Sequence, residues 1–433
     1  MNTAADVADP TGSASAKPIK SNLSEMGVLA LLTIGVLIAY LDRSSISSAI
    51  ANPTFVQHFD MSDVNRGWVA SAFFWSYSLT QLPMGWIVDR YGVKVPYAIC
   101  FAIWCIATAA TGVISAFVGL FIMRLIIGAM EAVVMPASYR WIRHNVSERH
   151  TGLAIGIFAM GNKIGTAIGA PVAAWLIVAY DWRFMFVITG LLGLIWLVPW
   201  LKLVKNDLPS KAEMPAARRR ASSVSFRSIM SSPVVWGAMI VNFCYAYFTF
   251  YCMTWMPAYL VEQQGLSLQQ SGLYTFFSFA GIAIVAVIAG WAADRIIERG
   301  GDPVLVRKAF VVAGFLGAST VLFGAYAHSL QMALFWNVFS LTSLGLATAN
   351  NLALCKITLI PPPAIGLVAG VQHVAGGLSG GVAASLSGWL LHVSGSYDLP
   401  MMVIVVFLAI GAIANVVLLR PKWSPKVSED AAI

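Results

Sequence analysis

Charge is what this 433-residue chain has least of: 11% of its residues are Asp, Glu, Lys or Arg, less than half the roughly 25% found in soluble globular proteins. A folded chain of this size needs a charged surface to stay in water, so a soluble enzyme is excluded. Cysteine is scarce too. The five present (Cys100, Cys105, Cys244, Cys252, Cys355) lie within or at the ends of apolar runs, without the paired loop spacing of a disulfide or zinc framework, and read as packing residues. His-Glu-x-x-His, Gly-x-Ser-x-Gly and Walker A signatures are missing, which argues against a membrane-embedded enzyme and against a self-contained ATP-driven pump. No metal or organic cofactor is expected. The net charge of +8 does not point to nucleic acid, because the basic residues are dispersed over short segments with no folded polar domain.

What the chain does have is apolar length, with 58% of its residues hydrophobic. A hydrocarbon core of about 30 Å takes about 20 apolar residues per helical crossing, so there is room for about a dozen crossings. Apolar segments fall near 25–50, 66–88, 95–114, 117–141, 152–179, 184–204, 233–261, 270–292, 306–327, 331–357, 365–393 and 400–420. All should be helices, because open strands cannot satisfy their backbone in lipid.

Residues 1–24 are polar and rich in small side chains, an expected disordered cytoplasmic tail and no cleavable signal peptide. Residues 205–232, rich in Pro, Ser and Arg, form a basic linker between two six-helix bundles, 25–204 and 233–420, and 421–433 form a second tail. Two Lys+Arg residues (Arg66, Arg183) fall in loops on one side and three sit within helices, while the others lie on the side of the termini. The excess of positive charge there places both termini in the cytoplasm. The expectation is an all-α membrane protein with twelve transmembrane helices in two pseudo-symmetric halves. It should be a multi-pass, monomeric protein of a bacterial cytoplasmic (inner) membrane.

An internal repeat supports the division. Gly85-Trp-Ile-Val-Asp89-Arg90-Tyr-Gly92-Val-Lys94 follows the second segment, and Gly290-Trp-Ala-Ala-Asp294-Arg295 follows the eighth. With twelve crossings and a basic central linker, this G-x-x-x-D-R-x-G-x-K loop resembles that of the major facilitator superfamily over essentially the whole chain after residue 24. The charges of such loops sit at helix ends, where they can pair in one conformation and release in another. Asp89, Arg90, Asp294 and Arg295 are therefore gate candidates.

Five ionisable residues remain inside the helices: Asp42, Arg43, Arg124, Glu131 and Lys163. At a helix centre such a residue costs about 2.5–3.5 kcal/mol on insertion scales, so it should face a bundle interior or an aqueous cavity and have partners. At 1.5 Å per residue, Asp42 and Arg43 lie about 25 Å up the first helix, and Arg124 and Glu131 about 10 and 20 Å down the fourth. On that estimate Asp42, Arg43 and Arg124 meet, Glu131 lies deeper on the face of Arg124, and Lys163 is near the midplane, about 18 Å into the fifth helix. Three cations and two carboxylates make a site for an anion, improved by protonating the acids. Tyr77, Gln372, Asn350 and Asn351 are further cavity candidates. Gly161, Gly165 and Gly169 have the small-xxx-small spacing of close helix contact, and the 15 tryptophans read mostly as interfacial belts and lipid or core contacts.

Tyr40-Leu41-Asp42-Arg43, and Arg124-Leu-Ile-Ile-Gly128-Ala-Met-Glu131-Ala132 followed by Pro136, resemble the Y-x-D-R and R-x-x-x-G-x-x-E-A patterns of the anion:cation symporters. So do Asn242, Tyr245, Tyr251, Trp255, Pro257 and Tyr259 in the seventh helix. The resemblance implies import of an organic anion, centrally a sugar acid, with protons as the coupling ion. It gives Asp42 and Glu131 the protons and Arg124 the orientation of acid groups and substrate. Around them, Arg43, Lys163, Tyr40, Tyr77, Asn162, Gln372 and His373 are the expected substrate contacts. Lys163 and His373 stand where relatives usually have uncharged polar residues; the lysine suits a second carboxylate, and the histidine can donate to substrate or titrate near neutrality. The rival within the fold is a drug or metabolite efflux proton antiporter. Its G-x-x-x-G-P-x-x-G-G stretch is broken here, as Gly165-Thr-Ala-Ile-Gly169-Ala170-Pro171, and a lysine nearby repels cationic drugs.

Overall fold

The computed structural model describes residues 23–205, 229–354, 358–361 and 364–425. Cys355, most of the expected linker, nearly all of the expected N-terminal tail and residues 426–433 of the expected C-terminal tail lie outside these residues. Among the described residues there is no strand. The first helices are α1 Leu23–Ile50, α2 Pro53–His58, α3 Asp63–Tyr91, α4 Lys94–Thr111, α5 Phe117–Glu131, α6 Val134–Asn145, α7 Glu148–Ala179, α8 Trp182–Ile195 and α9 Leu197–Leu203. After the linker come α10 Pro233–Thr254, α11 Met256–Glu262, α12 Leu268–Glu298, α13 Pro303–Ala318, α14 Val321–Ala325, α15 Leu330–Ser343, α16 Gly345–Ala353, α17 Ile365–Ser394 and α18 Asp398–Val417.

Eleven stretches among the described residues are long and apolar enough to cross a membrane. They coincide with eleven of the twelve expected segments. The remaining one, α3, has 29 residues, ample for a crossing at 1.5 Å each, but Ser71, Ser76, Ser78, Thr80 and Gln81 make it less apolar. Its surroundings explain this composition. A Cβ on Gly377 of α17 would overlap the Ser78 hydroxyl, and Gly67 of α3 lies against the Ala384 carbonyl and Gly388, so one side of α3 meets the other half of the protein instead of lipid.

Several expected crossings are interrupted. Between α5 and α6 the helix breaks at Ala132 and Val133, where Pro136 has no N–H for the Ala132 carbonyl. Pro257 likewise follows the break between α10 and α11. In a bundle, irregular backbone is tolerated where it is buried in protein or lines a cavity.

Within the first half α1 and α7 pack most closely. A Cβ on Gly165 would overlap the Leu37 carbonyl, which is the packing role read for that glycine series. The two halves meet along α3 with α17 and along α7 with α12, where Gly272 abuts Ala170 and Pro171. Both seams lie toward the end of the bundle away from the termini. At the terminal end, a Cβ on Gly152 or Gly156 of α7 or on Gly370 of α17 would meet nothing within 4 Å.

Candidate functional site

The charged cluster is built where α1, α3, α4 and α5 converge. Gly128 lets α5 lie directly on α3, because a Cβ there would overlap the Phe73 carbonyl. This contact sets Arg124 and Glu131 beside Phe73. From α1, Arg43 Nε donates to Glu131 Oε2 at 2.8 Å, with the two side chains 4% and 0% exposed. Rings enclose the guanidinium, with centroids at 4.4 Å (Tyr40), 4.7 Å (Tyr77) and 4.8 Å (Phe73). Such contacts gain strength when water is excluded.

Asp42 does not share this pair. Successive helical residues point about 100° apart, so Asp42 turns toward α4, where Trp104 Nε1 donates to its Oδ2 at 3.0 Å. Its Oδ1 is buried without a hydrogen bond, as is Glu131 Oε1. Arg124 stands over the Phe73 ring that Arg43 also contacts, at 5.0 Å. It is 3% exposed, its Nε has no partner, and among the described residues no carboxylate lies within ion-pair distance of it.

Asp42, Arg43 and Arg124 come together in one cluster, as expected, but not as one another's partners. Arg43 takes Glu131, Asp42 takes an indole, and Arg124 is left unpaired. Rise per residue gives the level of a Cα but not the reach of an arginine side chain, and Arg43 spans the difference to Glu131 at the helix break. Trp104, which sequence alone does not distinguish from the other tryptophans, is fully buried. One signal was available: an intramembrane carboxylate needs a donor, and only buried side chains can supply it.

The other expected contacts are dispersed. Asn162 and Lys163 are half-buried on α7; Lys163 has no ion pair among the described residues and stands on the side of α7 opposite Gly161 and Gly165, so it is not brought to the Arg43–Glu131 pair. His373 lies across the divide between halves from Tyr139, with ring centroids 6.4 Å apart. Gln372 is buried, and its backbone carbonyl accepts from Asn242 Nδ2 at 3.0 Å. Tyr245 and Thr348 share a hydroxyl hydrogen bond of 2.9 Å, tying α10 to α16. Asn350 is occupied structurally, donating to the Leu346 carbonyl at 3.1 Å, while Asn351 is buried.

The four gate candidates all pair or stack within their own half. Asp89 binds Arg140 of α6 at 2.9 Å, and Asp294 binds Arg307 of α13 at 2.8 Å. Arg90 lies over the rings of Trp86 and Tyr91, and Arg295 reaches Glu298 at 3.4 Å. Sequence reasoning did not single out Arg140 or Arg307, which lie one or more helices away from the repeated loop.

A buried ion pair, a buried arginine without an ion pair among the described residues and two half-satisfied carboxylates are equipment for exchanging partners. The Major Facilitator Superfamily profile matches residues 32–384. The chain belongs to that superfamily. A D-galactonate transporter of Escherichia coli O6:H1 is 27% identical over 84% of this chain and 88% of its own length. A probable sulfoacetate transporter of Cupriavidus necator is 28% identical over 92% of this chain and 94% of its own. The chloroplastic ascorbate transporter of Arabidopsis thaliana is 30% identical over 87% of this chain and 71% of its own. Among solved structures, a D-xylose-proton symporter shares the fold, with a TM-score of 0.70, 15% identity, and coverage of 93% of this chain and 99% of that one. Superfamily and relatives together identify an integral, multi-span transporter of the inner membrane, within a group of sugar-acid and organic-anion transporters, and not an enzyme.

Proposed function

We propose that the protein imports an organic anion, a sugar acid or related carboxylate, by proton symport through alternating access. The observation that carries this reading is the buried Arg43–Glu131 pair beside an unpaired Arg124. Protonating Glu131 removes the charge that holds Arg43, so a cation is released into a site that already holds one unpaired arginine. A substrate carboxylate then takes the place of the glutamate. When substrate leaves, Glu131 gives up its proton and recovers Arg43. Asp42 is the second proton carrier, held in position by Trp104.

Tyr40, Tyr77, Asn162, Lys163, Gln372 and His373 complete the substrate surface in this proposal, and Asp89, Arg90, Asp294 and Arg295 act at the gate on the terminal side. Counting α3 gives twelve crossings, with both termini cytoplasmic and one monomer as the working unit. The seams between halves then close the outer side. The names of the relatives, for galactonate, sulfoacetate and ascorbate, support an anionic cargo. Rocking of two bundles about a site near the midplane is the motion this architecture suits.

The test is uptake by proteoliposomes across an imposed proton gradient. Glu131→Gln, which mimics the protonated acid, should lose gradient-driven accumulation while still exchanging labelled for unlabelled anion. Unchanged proton-coupled accumulation would remove Glu131 from the coupling.

A further inference from the structure

At the end of the bundle away from the termini, Arg66 of α3 forms an ion pair that none of the gate candidates includes. Its Nη2 donates to Glu262 Oε1 of α11 at 2.6 Å, joining the two halves of the protein. Its Nη1 donates to Asp63 Oδ1 at 3.0 Å, within its own half. Glu262 in turn accepts from the Tyr397 hydroxyl at 2.7 Å, within the other half. The Arg66 side chain is 4% exposed, while those of Asp63 and Glu262 are 33% and 38% exposed. They border a cleft of about 410 Å³ lined also by Gln263, Ser396 and Tyr397.

We infer that Arg66–Glu262 is the reversible latch that holds this end closed, with Asp63 and Tyr397 as the partners each side keeps when it opens. Breaking a buried ion pair is costly when it strands a charge. Here neither charge is stranded: Arg66 retains Asp63, Glu262 retains Tyr397, and the adjoining cleft supplies water. Of the three bonds only the Arg66–Glu262 contact crosses between halves, so only that one must break. Trp255, whose ring lies 5.2 Å from the Arg66 guanidinium and whose indole donates to the Ala384 carbonyl at 3.0 Å, covers the latch from the side of α17.

The inference rests on the alternating-access reading but not on the identity of the cargo or on proton coupling, so its test uses neither. Ala384→Cys places a thiol at a fully buried position beside Gly67 on one seam, and Ala174→Cys does the same on the seam of α7 with α12. Each full-length reporter is exposed in intact cells, without substrate, to a membrane-impermeant maleimide, and the protein without the added cysteine is the blank. Glu262→Gln should raise the labelling rate at both positions by about fivefold or more, by shifting the population toward the open outer side. Asp63→Asn and Tyr397→Phe remove partners needed chiefly in the open state, so they should lower it. A role confined to fold stability would move all three variants in one direction. Equal labelling in Glu262→Gln and its parent, or faster labelling in Asp63→Asn, overturns the latch.

Discussion

The two halves repeat one fold but not one chemistry. All five ionisable residues expected inside helices are in the first half, three of them in or beside one cage of rings. The corresponding interior of the second half is tied by neutral groups: Asn242 to the Gln372 carbonyl, Tyr245 to Thr348, and the Ser379 hydroxyl to the Phe243 carbonyl at 2.7 Å. Duplication therefore supplies the scaffold twice while the charge that exchanges partners is concentrated once. The repeated loops diverge in the same way, since Asp89 reaches forward to α6 and Asp294 to the next helix, α13.

The contrast should appear first in stability. Glu131→Ala leaves Arg43 buried without its partner and should lower stability by about 3–5 kcal/mol. Asn242→Ala, in the neutral half, removes one hydrogen bond and should cost about 1 kcal/mol. Thermal unfolding of the purified variants in detergent measures both, and equal losses would erase the distinction between the halves. Trp104→Phe comes next, with an expected loss of about 1–3 kcal/mol because it strands Oδ2 of Asp42; unfolding and uptake should fall together. Asp294→Asn should have the smallest effect on stability, at most about 1 kcal/mol, since that carboxylate is 61% exposed. Its uptake rate should fall nonetheless, and an unchanged rate would leave the loop as a determinant of topology only.

The helices were legible because apolar runs of about 20 residues leave few alternatives, and this held even for α3, whose Ser76 and Thr80 turn to α5 and whose Ser78 meets α17. The charged residues of the site were legible for the opposite reason: their cost in an apolar helix marks them. Their pairing was not. It depends on helix rotation and side-chain reach, which give Arg43 to Glu131 although Asp42 is its neighbour in sequence. Trp104 resembles every other tryptophan of the chain until α4 is placed against α1. The Arg66–Glu262 pair joins positions 196 residues apart, and nothing local in either segment announces the other. Sequence shows which groups are expensive to bury; packing decides which of them offset one another.

The central claim is that Arg124 and the releasable Arg43 together receive a carboxylate when Glu131 is protonated. The most direct measurement is the thermal stability of the purified protein at two pH values against aldonates, uronates, aldarates, tartrate and aromatic acids, with cationic drugs as controls. A ligand at 100 times its dissociation constant stabilises the folded state by about 2.7 kcal/mol. Proton and anion should bind cooperatively, so stabilisation by carboxylates should strengthen at the lower pH and vanish in Arg124→Ala. Stabilisation by the cationic drugs alone, or a carboxylate effect that survives intact in Arg124→Ala, would contradict the account.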